Sequence, residues 1–239
     1  GFWVLPASWP SLPPPSPPLP PPTPVTAPTE DLDRATTIEA LRALEKQYPK
    51  DTKVLTKLVR ALSGTKTGLH EAVVLSRRLF ELAPASANEP ELQMVVKRGA
   101  NGQPATSELA LDVMASSMGT VGPDLLFALT QAPGVASNLK ARILDLTKTE
   151  GVRAAASPAL RIALELRDAG GCERQKLFAE AERVADKRAL QYLTPLQKKS
   201  GCGFLKLSDC YPCLGSRVSL GKAISAIQAR AQQQPSPRR

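Results

Sequence analysis

Apolar residues between Thr36 and Asp168 recur at intervals of three and four, which is the spacing of one face of an α-helix. The segment from Asp51 to Gly64 illustrates the pattern, with apolar positions at Val54, Leu55, Leu58, Val59 and Leu62. Asp51 is a favourable N-cap residue, and glycine after Ser63 ends such a pattern. We therefore predict an amphipathic helix here, with its apolar stripe facing a core.

The same signals predict more helices along the chain. Pro49 and Pro84 end two of the patterns, and Pro123 and Pro158 suit the first turn of two others. Few segments alternate as half-buried strands do, so the pattern favours an all-α protein. Besides 51–64, the predicted helices run from a cap at Thr36 or Thr37 to Pro49, and over 68–82, 91–97, 107–117, 124–130, 137–147 and 158–168, with short patterns after Cys172 and one more through Leu220 and Ile227.

Helices of this length, joined by short turns, recur in pairs at intervals of roughly 30–40 residues, which is typical of helical-hairpin repeats. Such hairpins stack because no single hairpin can bury its apolar face. We therefore predict an all-α fold in which helical hairpins stack as an α-solenoid or superhelix. An irregular helical bundle would produce similar patterns and stays open as the alternative.

Two segments resemble known repeat families. Residues 44–84 resemble a degenerate tetratricopeptide repeat, although the expected Trp and the Gly-x-x-Tyr step are missing. The residues that carry this resemblance are Tyr48, Pro49, Leu58, Leu62, Ala72 and Pro84. The later segment DKRALQYLTPL, residues 186–196, is similar to a HEAT repeat, in which an Asp caps a second helix that bears an Arg. Both resemblances imply stacked helix pairs.

The composition divides the chain into three parts. Residues 1–30 hold twelve of the 23 prolines, which predicts an extended polyproline stalk. Its apolar start, GFWVL, resembles the outer end of a membrane span, so we expect a membrane segment upstream of Gly1; a signal-peptide remnant or a cloning artefact are the alternatives. Residues 31–215 form the predicted helical domain, and residues 216–239 form a basic tail with one helix.

The net charge of +9 leaves the partner class open. A basic excess favours acidic partners such as nucleic acid or anionic lipid. Here the positive charges are scattered along the chain, and no Lys/Arg block is interleaved with aromatic residues. A nucleic-acid-binding module is therefore disfavoured and is kept as an alternative.

The four cysteines, Cys172, Cys202, Cys210 and Cys213, all lie in the last third of the chain. Their even number and clustering predict two disulfides that pin the last hairpin, with Cys172 bonded into the 202–213 loop; the sequence does not fix the pairing. One alternative is a zinc site with these four thiolates as ligands. Another is redox chemistry at the C-x-x-C pair Cys210 and Cys213.

No catalytic constellation is present in the sequence. His70 is the sole histidine and is predicted to be a surface or capping residue. The phosphate-binding glycine loop, the nucleophile elbow and the zinc-protease motif are all missing, and the carboxylates of helical segments are predicted to be solvated. We therefore predict no enzymatic activity, no catalytic residue and no cofactor, with zinc as the alternative.

In chain order, the sequence shows an apolar Trp-bearing start, a proline stalk, helical repeats and a cysteine-pinned hairpin. This order resembles the extracytoplasmic region of bacterial transmembrane serine/threonine kinases. The GFWVLP start and the GCGFLKLSDCYPCL end of the helical region carry this resemblance. It implies a sensor, scaffold or binding module, periplasmic or at the cell surface and tethered to the membrane. Its concave helical surface would bind a protein, a peptide or an envelope polymer.

The kinase signatures V-A-I-K, H-R-D and D-F-G are absent from these residues, so a kinase domain would lie elsewhere in a longer protein. The principal rival function is a thiol–disulfide oxidoreductase that uses Cys210 and Cys213. Disulfides persist in oxidising compartments, so the predicted pairs and the predicted membrane segment point to the same side of the membrane.

Overall fold

The structure, a computed structural model, describes residues 26–65 and 67–233. This part of the chain contains thirteen α-helices and no β-strand, which confirms the predicted all-α fold. The helices are α1 Thr29–Arg34, α2 Ile38–Gln47, α3 Thr52–Ser63, α4 Leu69–Leu82, α5 Pro90–Ala100, α6 Pro104–Ser116, α7 Val121–Gln131, α8 Ser137–Leu146, α9 Glu150–Ala155, α10 Pro158–Asp168, α11 Phe178–Val184, α12 Leu190–Leu193 and α13 Val218–Gln233. Most of the predicted stalk, residues 1–25, and the last residues of the predicted tail lie outside the described residues.

Local sequence explains where several helices begin. The Asp51 carboxylate caps α3 by accepting hydrogen bonds from the backbone N–H groups of Lys53 and Val54, at 2.8 and 3.2 Å. Thr37 and Ser157 cap α2 and α10 in the same way. Proline occupies the first turn of α5, α6 and α10, where its missing N–H costs no helical hydrogen bond.

Helices α2 to α8 pack chiefly against their neighbours in the chain. For example, α4 contacts α3 and α5 and also reaches α6, while α9 lies against α6 and α7. This stacking buries one continuous apolar core, because the stripe of each helix is covered from both sides. Its largest fully buried side chains include Leu55, Leu58, Leu79, Phe80, Leu92, Leu111, Met114 and Leu126.

A second apolar core lies under the C-terminal helices. Here α13 packs along α11, and α10 contacts α11 and α12. The buried residues of this core include Leu166, Phe178, Leu193, Leu196, Leu220, Ile224 and Ile227. A small cluster of Phe127, Ala156, Leu160 and Leu164 joins α7 to α10 between the two cores.

An arginine strengthens the junction between the two cores. The Arg188 guanidinium donates to the carboxylates of Asp124 in α7 and, at 2.7 Å, of Asp186, and it lies 5.9 Å from the centre of the Phe127 ring. Burial alone would lower the pKa of Arg188, but its hydrogen bonds to Asp186 and Asp124 raise that pKa above its ordinary value. The charge is therefore retained at a half-buried position that links α7 to the segment after α11.

The stack agrees with a helical bundle or solenoid, but two details differ from the sequence prediction. The pattern rules did not predict α1 and α9, which have only six residues each. The HEAT-like segment is broken into a 3₁₀ turn Lys187–Ala189, the four-residue α12 and a second 3₁₀ turn Thr194–Gln197. Pro195 explains the break, because it lacks an N–H and cannot continue a helical ladder. Within the described residues no helix has the length and apolarity needed to span a membrane.

Gly122 in α7 provides a test of how tightly the stack is packed. A Cβ atom placed on Gly122 would lie 1.8 Å from the backbone oxygen of Met114 in α6, so the two helices must separate to admit it. We expect Gly122→Ala to lower the free energy of unfolding by about 1–3 kcal/mol, as overpacking does elsewhere. Urea denaturation of the purified chain measures the change.

Gly221→Ala is the matched control. Gly221 also lies inside a helix, but a Cβ atom there meets no atom within 4 Å. Alanine is favoured over glycine in a helix interior, so this variant should be unchanged or more stable by about 0.5–1 kcal/mol. Equal stabilities for the two alanine variants would contradict the close α6–α7 contact.

Candidate functional site

The structure pairs the four cysteines in two disulfides. Cys172 is bonded to Cys213 with a Cα–Cα distance of 6.0 Å, and Cys202 to Cys210 with 5.0 Å. The first bridge spans 41 positions and ties the turn after α10 to the segment before α13, whereas the second closes a loop of eight. The long bridge restricts the unfolded chain most, and a loop of that length corresponds to about 4 kcal/mol in the chain-entropy model.

Arg217, which is 8% exposed, anchors the cysteine-containing segment that precedes α13. Its guanidinium donates to the backbone oxygens of Leu196 and Tyr211, at 2.8 and 3.3 Å, and to the carboxylate of Asp209 at 2.5 Å. The hydrogen bond from Arg217 lowers the pKa of Asp209, helped by the N–H of Tyr211. The sequence analysis missed Arg217, because a single arginine in a loop carries no pattern that predicts burial.

Gly171 and Tyr211 complete this anchor. A Cβ atom on Gly171 would lie 2.6 Å from Cε1 of the Tyr211 ring, so a larger residue here would displace the ring. The half-buried Tyr211 belongs to the second core and precedes the turn that carries Cys213. The cysteine region is thus held by two disulfides, a buried arginine and a packed aromatic ring, which together form a structural clamp.

The clamp separates the two sulfurs of the C-x-x-C pair. Cys210 and Cys213 each bond to a different partner, so they do not form a disulfide with one another. All four thiols are therefore bonded in pairs rather than gathered as a set of thiolates. Among the described residues no group of three or more His, Cys, Asp or Glu side chains is placed to hold a metal ion.

His70 and the carboxylates of the helical segments take part in surface contacts. His70 is exposed at the start of α4, where its Nδ1 lies 3.1 Å from Oγ1 of Thr106. Glu71 forms an ion pair with Arg42 at 2.5 Å, and Asp145 one with Lys148 at 2.8 Å. The hydrogen bond from Lys148 also lowers the pKa of Asp145. These carboxylates thus serve surface ion pairs between or along helices.

A groove along α3 and α5 is formed by recesses that adjoin one another. Three adjoining recesses of about 740, 600 and 600 Å³ compose it: one between α1, α3 and the turn 84–88, one between α3 and α5, and one between α5 and the segment 129–135. Arg60 lines the first two recesses, and Met94 and Arg98 line the last two, so the groove is continuous. We name this surface the α3–α5 groove; its lining includes Lys57, Arg60, Met94, Lys97, Arg98 and Leu129.

The charges of the α3–α5 groove change along its length. Arg60 is neutralised by Glu89 at 3.0 Å and by Glu91 at 2.7 Å. Farther along, Lys97 and Arg98 form no ion pair with any described residue, and they are the only charged side chains of the third recess. The rest of that recess is largely apolar, with lining side chains of Leu69, Met94, Leu129, Pro133 and Val135.

Helix periodicity could have indicated part of this groove. Met94 is 52% exposed although it lies in an otherwise amphipathic helix, which makes it an apolar residue on the polar face of α5. Together with Lys97 and Arg98, one turn later, it forms a recognisable sequence signal. The contribution of Leu129 and Val135 depends on how α7 packs beside α5, and no local pattern predicts that.

The Arg217–Asp209 pair predicts a pH-dependent stability. A carboxylate with a lowered pKa in the folded state stabilises the fold above its unfolded pKa, which is 3.8, and loses that contribution as the pH falls through the folded value. We expect the melting temperature of the native chain to exceed that of Asp209→Asn by a constant margin between about pH 7 and 5, and the margin to shrink below about pH 4. Calorimetry across this range measures it. The exposed Asp33 gives the control: a similar acid-dependent margin for Asp33→Asn would contradict the assignment to the clamp.

Comparison with protein-family models, with curated proteins and with solved structures finds no match to this chain.

Proposed function

We propose that this chain is a non-catalytic binding module that acts outside the cytosol and holds a peptide segment of a partner protein in the α3–α5 groove. One observation carries the proposal. The third recess combines the exposed Met94 with two cations, Lys97 and Arg98, that have no acidic partner among the described residues. Met94 continues into the apolar lining of Leu129 and Val135, and a contiguous exposed apolar surface with a charged rim is typical of a ligand-binding groove.

The form of the groove favours an extended peptide. Its recesses adjoin one another along two helices, so a ligand that occupies them must be long and narrow rather than compact. Peptides commonly bind in helical grooves through apolar anchors, with flanking charges that fix their orientation. The matching ligand carries apolar side chains for the Met94 recess and an acidic group for Lys97 and Arg98.

The disulfides support a location outside the cytosol. Two bonded pairs among the described residues are typical of an oxidising, extracytoplasmic environment. We propose that the module belongs to a membrane-anchored receptor, with the bacterial serine/threonine kinases as the resembling class. The order of a proline-rich segment, a helical domain and a cysteine-pinned end in the sequence supports that assignment.

The rival oxidoreductase hypothesis has less support. A dithiol catalyst of the C-x-x-C type cycles between two thiols and a disulfide that joins those same two sulfurs. Cys210 and Cys213 are bonded to Cys202 and Cys172 instead. Both bonds belong to the clamp that Arg217 anchors, which favours a structural role for both.

A peptide-display experiment tests the binding function. A displayed library of random short peptides is selected on the oxidised chain, and enriched peptides are labelled and titrated by fluorescence anisotropy. We expect enrichment of acidic residues next to apolar ones, and we expect Met94→Ser and Arg98→Glu each to weaken binding by about tenfold, because a groove anchor and a charge partner contribute on that scale.

The matched controls are Val74→Ser and Lys222→Glu. Val74 is 45% exposed in α4 and Lys222 is exposed in α13, and neither lines the groove. Both control variants should bind the selected peptides as the native chain does. Peptides that bind Arg98→Glu as tightly as the native chain, or a selection without enrichment, would refute the assignment of the groove.

A further inference from the structure

The loop closed by Cys202 and Cys210 exposes two apolar side chains at its tip. The tip sequence is Gly203-Phe204-Leu205-Lys206-Leu207. Leu205 is 71% exposed and Leu207 is 77% exposed, which makes them the most exposed large hydrophobic side chains of the described residues. Neither side chain belongs to one of the apolar cores, so folding of the chain does not account for their presence at this place.

The backbone of this loop is closed at its base. Cys202 and Ser208 exchange two backbone hydrogen bonds of 3.1 and 2.9 Å, and Gly201 N–H donates to the Lys206 oxygen at 2.9 Å. The disulfide to Cys210 closes the same ring covalently. The tip is therefore a small hairpin with little freedom to fold back onto the helices.

Two residues of the tip adopt a backbone conformation that is unfavourable for them. Leu205 and Lys206 have φ values of 59° and 58°, in the left-handed region that residues with a Cβ seldom occupy. Such conformations persist where the surroundings impose them, and they concentrate at functional positions. Here the closed ring imposes a conformation that keeps Leu205 and Leu207 in solvent.

Lysines lie close to these leucines in the sequence. Lys198, Lys199 and Lys206 are all exposed, and none of them forms an ion pair with a described residue. The nearest acid in the chain, Asp209, is already held by Arg217. Lys199 also acts on Asp209 electrostatically, but three lysines against one carboxylate already paired with Arg217 leave the tip an apolar point with a net positive rim.

We propose that this hairpin tip inserts Leu205 and Leu207 into the surface of an anionic lipid bilayer. A protruding apolar tip needs a complementary cavity to bind a protein, whereas the fluid interface of a bilayer adapts to it without one. Lysine suits that interface, because its chain lies among the lipids while its ammonium group remains at the level of the phosphates. The unpaired lysines match the negative charge of such a surface.

The tip and the α3–α5 groove share no residue, so the two proposals stand or fall separately. Attachment through a short apolar loop and a few lysines is reversible, since stable anchoring requires a second signal. The loop would therefore orient the domain on a membrane rather than fix it there.

Vesicle sedimentation with the full oxidised chain tests the proposal. The probes are vesicles of phosphatidylcholine alone and vesicles of phosphatidylcholine mixed with phosphatidylglycerol. We expect the native chain to bind the mixed vesicles more tightly than the neutral ones. The variant Leu205→Ser with Leu207→Ser should lower the partition coefficient on mixed vesicles by about tenfold or more, as expected for the loss of two inserted leucines. Both residues are exposed, so the melting temperature should stay unchanged.

Two matched controls separate the tip from the rest of the surface. Leu82 and Leu144 are each 39% exposed and lie in helices, so the paired change Leu82→Ser with Leu144→Ser should leave binding intact. Changing Lys198, Lys199 and Lys206 to Gln should reduce binding on mixed vesicles to the level on neutral vesicles, whereas the same change at the exposed Lys46, Lys53 and Lys222 should reduce it far less. Absence of binding by the native chain, or equal losses in tip and control variants, would overturn the proposal.

Discussion

The stacked helices of this protein depend on the mutual covering of their apolar stripes. A helix such as α4 has apolar residues on more of its surface than one neighbour can cover, and it packs against α3, α5 and α6. Val73 and Phe80 of that helix are almost fully buried as a result. Because each helix supplies part of the cover for the next, a close approach such as the one at Gly122 affects the whole stack. The same arrangement leaves Arg60 of α3 and Met94 and Arg98 of α5 exposed at the surface.

The C-terminal part has two short helices, α11 and α12, and uses arginines to hold its elements together. Arg230 of α13 donates to the backbone oxygens of Ala181, Glu182 and Ala185 at the end of α11, at 2.7 to 3.1 Å. Arg174 donates a hydrogen bond to the backbone oxygen of Leu166 at the end of α10. The last carbonyl groups of a helix lack partners within the helix, and a charged donor to a backbone oxygen contributes about 1.5–3 kcal/mol. These contacts stabilise elements whose own apolar area is small.

Each of the two proposed surfaces lies on a part of the protein that is stabilised in one of these two ways. The α3–α5 groove lies on helices whose buried faces form part of the continuous first core. The hairpin tip lies on a loop that has no helix to support it, and its position relies on two disulfides and on Arg217. A module with a ligand groove on one core and a membrane-contacting loop beside the other would present its ligand site at a defined orientation to a bilayer.

The sequence by itself determined the helical class of the fold and most of its longer helices, because the i, i+3 and i+4 spacing of Leu, Val and Ile is a local property. Caps such as Asp51 and stops such as Pro84 belong to the same local information. The sequence did not predict the short helix α9 or the interruption of the helix at Pro195, because an element of one or two turns has few periodic positions.

Only the tertiary structure decided which residues far apart in the chain come into contact. Four cysteines permit three pairings, and the choice of Cys172 with Cys213 follows from how α10 and the segment before α13 meet in space. Packing between segments far apart in the chain also decides three other features. These are the burial of Arg217, the ion pair of Arg188 with Asp124 and the position of Met94 beside Leu129 in one recess. Local patterns record which face of a helix is apolar, but they do not record which other segment covers that face or which part is left open.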